Sequence, residues 1–275
     1  MGAIPKSGMN ILVTGGTSGL GFELVKQLAG KGHTVITTGR NEKKEFDGLE
    51  KLQFYRVDFR NLSEVAAFGY RIAGQMGTPD AVILNAGILS PSRYSSTNDG
   101  YEQTLQVNFL SQFLLVRILA EEKKNDAPLV IVPVISPVYK YGKINGFHEF
   151  SAGNYSRVKA YPSTKLYLAL TGRFFADRYS EKGITAFCFD PGVFRSGIYR
   201  SQQKWFRQVY HFASPVLRNP APVASGLIRH LEGGNYDADT ITNRIGKISR
   251  LPESDPVSES KLWQQCLSLT DSFIR

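Results

Sequence analysis

The sequence predicts an α/β fold in which helices cover both faces of a doubly wound parallel sheet. Short apolar stretches alternate with longer amphipathic stretches along most of the chain, as they do in parallel βαβ units. A glycine-rich turn joins the first predicted strand to the first predicted helix. The other polar motifs follow predicted strands directly or lie on the next helix, and sheets of this kind bind ligands at the carboxyl ends of their strands.

The apolar pattern defines six strands and seven helices. The predicted strands are short runs rich in Val, Ile and Leu, at 10–14, 34–38, 52–57, 81–84, 129–135 and 184–189. The predicted helices have apolar residues at helical spacing, over 20–30, 63–76, 99–123, 159–180, 203–212, 221–231 and 258–272. Because crossovers between parallel strands are right-handed, this alternation predicts the doubly wound topology.

Length and composition predict one globular domain over 9–275, preceded by a flexible lead-in at 1–8. Of the 275 residues, 42% are hydrophobic and 21% are charged, which is ordinary for a globular protein. The two cysteines, Cys188 and Cys266, are far apart in the sequence, which argues against a disulfide framework and against a zinc site. We therefore expect no metal, and a reducing compartment such as the cytoplasm.

The formal net charge of +9 favours an anionic partner. The basic residues are scattered and do not form a cluster with aromatic residues, so no nucleic acid is expected. An anionic small molecule is the favoured partner, and peripheral contact with a membrane surface stays open. The apolar runs are too short to span a bilayer.

The first predicted strand runs into a glycine-rich loop, Thr14-Gly15-Gly16-Thr17-Ser18-Gly19-Leu20-Gly21. Glycines allow the backbone to approach a ligand closely, and the N–H groups of a helix N-terminus attract a pyrophosphate. A turn without a binding role is the alternative, but the strand before and the helix after favour a Rossmann-type dinucleotide site. The predicted cofactor contacts are Gly15, Thr17, Ser18, Gly19, Leu20 and Gly21.

The end of the second strand distinguishes NAD from NADP. An acidic residue there binds the ribose 2′-hydroxyl, whereas an arginine accommodates a 2′-phosphate. Here Gly39 stands where the acid is expected, and Arg40 follows it. Because a guanidinium can bind a phosphate through two parallel hydrogen bonds, the sequence predicts NADP(H) with Arg40 as a contact. The alternative is that Arg40 is a solvated turn residue.

Tyr161 and Lys165 lie four residues apart on a predicted helix and therefore share one face. An isolated tyrosine has a pKa of about 10, and a nearby ammonium lowers the pKa toward the range useful for proton transfer. A chance amphipathic pair is the alternative. Because Pro162 lacks an N–H, we expect this helix to begin only a few residues earlier, near Val158 to Ala160.

Further polar motifs follow strands or interrupt a helix. Ser136 ends the fifth strand and could donate a hydrogen bond to a substrate oxygen, or it is an ordinary turn residue before Pro137. Asn108 lies in an apolar helix, and a buried asparagine needs partners. Two turn motifs complete the set, Asn85-Ala86-Gly87 after the fourth strand and Asp190-Pro191-Gly192 after the sixth.

The T-G-x-x-x-G-x-G loop, the N-A-G turn and the Y-x-x-x-K pair together resemble the short-chain dehydrogenase/reductase family, over residues 9 to about 273. The resemblance implies an oxidoreductase in which Tyr161 is the general acid/base, Lys165 tunes it, and Ser136 orients the substrate oxygen. It also implies that Asn108 holds a helix kink and a water that relays protons. Asp58 would contact the adenine, and it could equally cap the next helix, since the two roles are compatible. The remaining implied cofactor contacts are Phe59, Asn85, Ala86, Gly87, Tyr161, Lys165, Pro191, Gly192, Val193 and Ser196.

Two features resemble the retinol dehydrogenase-like branch of that family. One is the helix motif Val107-Asn108-Phe109-Leu110, and the other is the gap of 25 residues between Ser136 and Tyr161, which reflects an insertion in this loop. Pro137, Val138 and Tyr139 replace the small residues and the histidine that the branch carries after the serine. These positions are expected to line the substrate pocket, so the resemblance does not imply specificity for retinoids.

The resemblance places the substrate region at 197–218, joined by the loop after the fifth strand. This stretch is aromatic and basic, and we interpret it as a lid over a bulky apolar carbonyl or alcohol. A helix packed on the core and a helix touching a membrane are the alternatives. The predicted substrate contacts are Tyr139, Tyr141, Trp205 and Phe206.

Two other functions and one assembly stay open. The same fold could reduce a C=C bond, or the chain could be a non-catalytic NADP(H)-binding regulator, although a regulator need not retain all of the catalytic side chains. The predicted helices 99–123 and 159–180 correspond to the usual dimer surface of the family, so a homo-oligomer is a candidate. Burial inside one subunit would equally explain their apolar residues.

Overall fold

The structure is a computed structural model that describes residues 8–124, 127–192 and 219–275. The strands of its main sheet are β1 (Asn10–Val13), β2 (Thr34–Gly39), β3 (Leu52–Arg56), β4 (Ala81–Leu84), β5 (Leu129–Pro133) and β6 (Ile184–Ala186). They are parallel and lie in the order β3-β2-β1-β4-β5-β6, which confirms the predicted doubly wound sheet. The order reverses between β1 and β4, and a crevice forms at such a point.

Helices cover both faces of this sheet. The described helices are α1 (Gly19–Gly30), α2 (Leu62–Gln75), α3 (Gln103–Leu105), α4 (Ser111–Glu121), α5 (Arg157–Arg178), α6 (Pro220–Gly233) and α7 (Pro256–Thr270). Leu24 of α1 and Leu227 of α6 belong to the core on one face, and Leu115 of α4 and Leu168 of α5 belong to the core on the other. None of the described helices combines the length and the apolar composition that crossing a membrane requires.

The prediction of one continuous helix over 99–123 is wrong. The helical region begins at Gln103, and a π-helical segment, Gln106–Leu110, separates α3 from α4. The Glu102 carboxylate caps α3 by accepting a hydrogen bond of 2.8 Å from the Leu105 N–H. A π segment widens the helix locally through i→i+5 hydrogen bonds, and an unbroken apolar pattern does not reveal it.

The predicted sixth strand, 184–189, is in fact two strands. It breaks at Phe187, whose buried ring stacks on Tyr236 at 5.5 Å and contacts His230 edge-on at 4.5 Å. The chain then enters a second, three-stranded sheet in the order β7 (Cys188–Asp190), β8 (Thr240–Asn243) and β9 (Ile248–Arg250). Neither β8 nor β9 was predicted, because both are too short to show a period.

The start of α5 lies slightly earlier than predicted. The helix begins at Arg157 after Ser156, whereas the proline argument placed its start near Val158 to Ala160. Pro162 therefore lies in the second turn and cannot donate a hydrogen bond to the carbonyl group four residues before it. The predicted helix 203–212 and the lead-in at 1–7 lie outside the described residues.

The C-terminal helix α7 covers α4 and α5. Trp263 of α7 packs edge-on against Phe113 of α4 at 5.3 Å and against Phe175 of α5 at 5.2 Å. Arg117 of α4 donates a hydrogen bond of 2.8 Å to Thr270 and pairs with Asp271 at 2.7 Å. The chain thus buries this face of α4 and α5 within itself.

Candidate active site

A cleft of about 500 Å³ opens at the carboxyl ends of the parallel strands. The loops after β1 to β5, the helix α5 and the turn after β7 form its described walls. The structure brings most of the predicted site residues together here, namely Gly15, Thr17, Ser18, Gly19, Leu20, Arg40, Asp58, Phe59, Asn85, Ala86, Gly87, Ser136, Tyr161, Lys165, Pro191 and Gly192.

The glycine-rich loop passes close under the turn after β4. Gly15 has a φ of +68°, and a Cβ added there would lie 2.9 Å from the Cα of Ala86. A Cβ on Gly21, which does not line the cleft, would lie 2.3 Å from the carbonyl oxygen of Gly15. The glycines therefore allow α1 to pack tightly on the loop. Because α1 begins at Gly19, its N-terminus opens on the cleft, and the residues present fit the pyrophosphate of a dinucleotide.

Buried polar side chains tie this loop to the turn after β4. The Thr14 hydroxyl accepts hydrogen bonds from the backbone N–H groups of Asn85 and Ala86, at 2.9 and 3.0 Å. The Asn85 side chain donates back to the Thr14 carbonyl at 2.9 Å. Gln112 of α4 donates to the Ala86 carbonyl at 2.9 Å. The role of Gln112 was not predicted, and its only signal in the sequence is a polar residue inside an apolar helix.

The loops after β2 and β3 form one end of the cleft. Arg40 follows β2 and is exposed. Gly39 lies against Thr17 of the glycine-rich loop, so that a Cβ on Gly39 would be 2.4 Å from the Thr17 Cγ2 atom. An aspartate could not replace Gly39 unless Thr17 moved, so this position does not suit the acid that binds a ribose 2′-hydroxyl.

Asp58 pairs with Arg60 in the loop after β3, at the same end of the cleft. The Arg60 Nε atom lies 3.1 and 3.0 Å from the two carboxylate oxygens of Asp58, and Nη2 lies 2.5 Å from one of them. Partial burial alone would raise the pKa of Asp58, but hydrogen bonds from Arg60, with the charges of Arg60 and Arg40, bring it below its ordinary value. The carboxylate is therefore ionised at neutral pH.

The prediction that Asp58 also caps the next helix is wrong. Asn61 is the N-cap of α2, and its side chain accepts a hydrogen bond of 3.1 Å from the Glu64 N–H. Phe59 is buried, and its carbonyl accepts a hydrogen bond of 2.7 Å from the Ser111 hydroxyl. These contacts attach the loop after β3 to α4.

Tyr161 and Lys165 line the cleft from α5. Lys165 is buried, with 4% of its surface exposed, and its ammonium donates a hydrogen bond of 2.9 Å to the Val134 carbonyl. The Lys165 Nζ atom lies 5.9 Å from the centre of the Tyr161 ring. Burial lowers the pKa of Lys165 to about 8. The ammonium is therefore close to the phenol ring and close to its own titration at neutral pH.

Asn108 lies behind the cleft, in the π segment. Its Oδ1 atom accepts a hydrogen bond of 2.7 Å from the Ile88 N–H, and its Nδ2 atom donates to the Ile88 carbonyl at 2.9 Å and to the Thr164 hydroxyl at 3.2 Å. A Cβ on Gly87 would lie 3.2 Å from the Asn108 Oδ1 atom. One fully buried side chain thus joins the loop after β4 to α5. It does not line the described cleft.

Ser136 follows β5 and begins a short 3₁₀ helix, Pro137–Tyr141. It is half-buried and lines the same cleft as Tyr161 and Lys165. A hydroxyl, a phenol and an ammonium on one apolar-walled cleft can orient, protonate and stabilise the charge on a substrate oxygen.

The predicted substrate residues lie elsewhere. Tyr139 is buried in the core with 4% of its surface exposed, and Tyr141 is 76% exposed; neither lines the described cleft, whereas Pro137 and Val138 do. Val193, Ser196, Trp205 and Phe206 lie outside the described residues. Within the described residues, no group of three His, Cys, Asp or Glu side chains could hold a metal ion.

Several cleft residues were not predicted from the sequence. Five of them lie at a strand end or within two positions of one, and their proximity depends on the register of the sheet: Thr38, Gly39, Val57, Val134 and Ile135. The others are Arg60, Ile88, Leu89, Gln103 and Val107.

The chain is similar to known oxidoreductases. The family model described as short chain dehydrogenase matches residues 9–206. Human retinol dehydrogenase 11 is 30% identical over 93% of this chain and 84% of its own length. Human retinol dehydrogenase 12 is 32% identical over 70% of this chain, and the match spans 64% of that protein. A protein of Streptomyces sp. (strain C5) named as a daunorubicin C-13 ketoreductase, DnrU, is 29% identical over 96% of this chain and 92% of its own.

Solved structures show the same fold. An uncharacterized protein from Mycobacterium Paratuberculosis superimposes with a TM-score of 0.69 at 22% identity, over 98% of this chain and 96% of that chain. A structure of an ElxO variant with NADPH bound gives a TM-score of 0.61 at 19% identity, over 80% of this chain and 90% of that chain.

Proposed function

Because the chain belongs to the short-chain dehydrogenase/reductase family, in its retinol dehydrogenase-like branch, we propose that it is an NADP(H)-dependent oxidoreductase that interconverts a carbonyl and an alcohol on a bulky apolar substrate. The observation that carries the proposal is that Ser136, Tyr161 and Lys165 line the same cleft as the glycine-rich loop. Nucleotide contacts and acid/base groups are thereby within reach of one bound molecule.

In the reducing direction, Tyr161 gives its phenolic proton to the carbonyl oxygen of the substrate. The Lys165 ammonium, 5.9 Å from the Tyr161 ring centre, favours the phenolate that remains. Ser136 donates a hydrogen bond to the same oxygen and holds it toward Tyr161. Bound NADPH supplies the hydride to the carbonyl carbon, and NADP⁺ accepts it in reverse.

The preference for NADP(H) rests on the end of the cleft formed by the loops after β2 and β3. Arg40 offers a guanidinium to a 2′-phosphate, and Thr17 would have to move to make room at Gly39 for the acid that NAD enzymes of this fold use. The NADPH held by the ElxO variant supports this choice.

An apolar substrate fits the apolar part of the cleft lining. Ile88, Leu89 and Val138 line the same cleft as Ser136, and apolar walls with few polar groups are typical of sites for bulky apolar ligands. The names of the relatives, retinol dehydrogenases and a ketoreductase, support a carbonyl or alcohol as the reacting group.

The test is NADPH oxidation with a panel of carbonyls: retinal, steroid ketones, aromatic aldehydes, long-chain aldehydes and quinones. The wild type should turn over at least one of them. Tyr161→Phe should lower kcat by roughly 10²–10⁴-fold while NADPH still binds, because only the proton donor is lost. Tyr55→Phe, which removes a hydroxyl on β3 away from the cleft, is the control and should leave kcat unchanged.

Retained turnover by Tyr161→Phe would contradict the assignment of Tyr161. Tight NADPH binding by the wild type without turnover of any carbonyl would instead support the C=C reductase or the non-catalytic regulator.

A further inference from the structure

We infer that Arg60 is a second arginine for the 2′-phosphate of NADP(H), acting together with Arg40 and held in position by Asp58. The inference rests on the proposed use of NADP(H). It extends that proposal from a single arginine at the end of β2 to a pair of arginines contributed by two loops.

Arg40 and Arg60 lie at the same end of the cleft. Both line it, as does Asp58. The Asp58 carboxylate contacts Arg60 directly. The positive charges of both Arg60 and Arg40 lower the pKa of Asp58. The two cations therefore lie in neighbouring loops near one carboxylate, close to the place where a ribose 2′-substituent is expected.

Asp58 fixes the position of Arg60. The Asp58 carboxylate accepts from the backbone N–H of Arg60 at 3.0 Å, from Nε at 3.1 and 3.0 Å, and from Nη2 at 2.5 Å. The Nη1 amino group takes no part in this pairing and keeps its donors for another acceptor. A guanidinium held by several hydrogen bonds loses little conformational freedom when it binds a phosphate.

The charges of the residues that line the cleft favour a second arginine. Of the charged side chains that line the described cleft, Arg40, Asp58 and Arg60 lie at this end, and Lys165 lies at the catalytic end. Arg40 and Asp58 alone sum to zero charge, which gives no net attraction to a phosphate monoester carrying about −1.5 to −2 at neutral pH. With Arg60 the end of the cleft has a net charge of +1. Arg60 thus offsets the carboxylate that would otherwise repel the 2′-phosphate.

The experiment compares the dissociation constants of NADPH and NADH for the full chain, measured by fluorescence titration without any substrate. Arg60→Gln should weaken NADPH binding by roughly 10- to 100-fold, the range for loss of a hydrogen bond to a charged group, and should change NADH binding far less. Arg56→Gln is the matched control, because Arg56 ends β3 only four residues earlier, is exposed, and does not line the described cleft. It should leave the ratio of the two constants as in the wild type.

The outcomes separate the two proposals. If the wild type prefers NADPH and Arg60→Gln keeps the same preference, the inference about Arg60 is wrong and the proposed use of NADP(H) stands. If Arg56→Gln lowers the preference for NADPH over NADH as much as Arg60→Gln does, the effect comes from the overall positive charge of this region and the inference is again wrong. If the wild type shows no preference for NADPH, the proposed cofactor itself is wrong. Retained NADH binding by Arg60→Gln shows that the variant is folded.

Discussion

The buried environment of Lys165 disfavours the charged form of its side chain. Its ammonium is buried beneath the cleft, with the Val134 carbonyl as a hydrogen-bond partner. Burial lowers its pKa from 10.5 to about 8, a difference that corresponds to roughly 3 kcal/mol between the charged and neutral forms. Residues that serve chemistry often reduce stability in this way. The folded protein carries this cost in full below pH 8, and the cost is relieved as the pH rises from about 8 toward 10.5.

Replacing Lys165 with methionine should therefore stabilise the protein while abolishing turnover. At pH 7 we expect Lys165→Met to raise the free energy of unfolding by roughly 1–2 kcal/mol, after the lost hydrogen bond to Val134 is subtracted. The gain should shrink or reverse at pH 10, because the neutral lysine no longer resists burial. Urea unfolding at both pH values measures it, with the exposed Lys247→Met as control. A gain that is the same at both pH values would refute this explanation.

The sequence was enough to select the side chains that we propose as catalytic, which the structure brings to one cleft, but not several of their neighbours. The residue types of Tyr161 and Lys165, together with their spacing, are enough to restrict the chemistry that the pair can perform. Arg60 and Gln112 carry no such pattern. The register of the sheet brings Arg60 to the cleft, and the packing of α4 brings Gln112 to the Ala86 carbonyl. The spacing of residues along the sequence does not contain that information.

At the scale of elements, the π segment is the feature on which the site depends. It places Asn108 so that one amide satisfies both backbone groups of Ile88 and reaches Thr164. The implied roles of Asn108 in a helix kink and with a relay water remain predictions. By satisfying two part-buried backbone groups, one side chain holds a loop against a helix.

Asn108→Ala should destabilise the protein far more than loss of an ordinary helix cap. Two part-buried backbone groups of Ile88 would lose their partner, so we expect a loss of roughly 2–4 kcal/mol in the free energy of unfolding. Asn61→Ala, which removes the N-cap of α2, should cost about 1 kcal/mol. Chemical denaturation of the two variants gives the comparison. Equal losses would mean that the contacts of Asn108 contribute little.

The six strands of the main sheet could be recognised from apolar runs, but the break that separates β6 from β7 could not. Residues 184–189 read as one strand because both halves are apolar. The break at Phe187 arises from its contacts with Tyr236 and His230, which lie about 45 residues further along the chain. Long-range packing of this kind overrides local propensity in short strands.

For the whole molecule, the position of α7 bears on assembly. Trp263 and the contacts of Arg117 with Thr270 and Asp271 occupy a face of α4 and α5, the helices for which the family resemblance implies a dimer surface. Burial within the subunit accounts for the apolar residues of these helices. If the protein forms a homo-oligomer, we propose that it uses another surface.

Trp263→Ala should lower stability without changing the molar mass in solution. Removing a buried indole from between Phe113 and Phe175 should cost roughly 3–5 kcal/mol. Val257→Ala, on the same helix but with the valine 60% exposed, should have little effect. Light scattering together with thermal unfolding at several protein concentrations makes the measurement. Dissociation of an oligomer by Trp263→Ala would place this face between subunits. So would a wild-type thermal unfolding midpoint that rises with protein concentration and, on dilution, falls to the midpoint of the variant.

The hydrogen bonds made by Thr14, Asn85 and Gln112 have a consequence for nucleotide binding. They join the floor of the cleft to the loop above α1 through hydrogen bonds that require no ligand. A loop already ordered in this way loses little conformational entropy on association. A larger share of the free energy of the pyrophosphate contacts then contributes to affinity. The site is preorganised for the nucleotide at this end of the cleft.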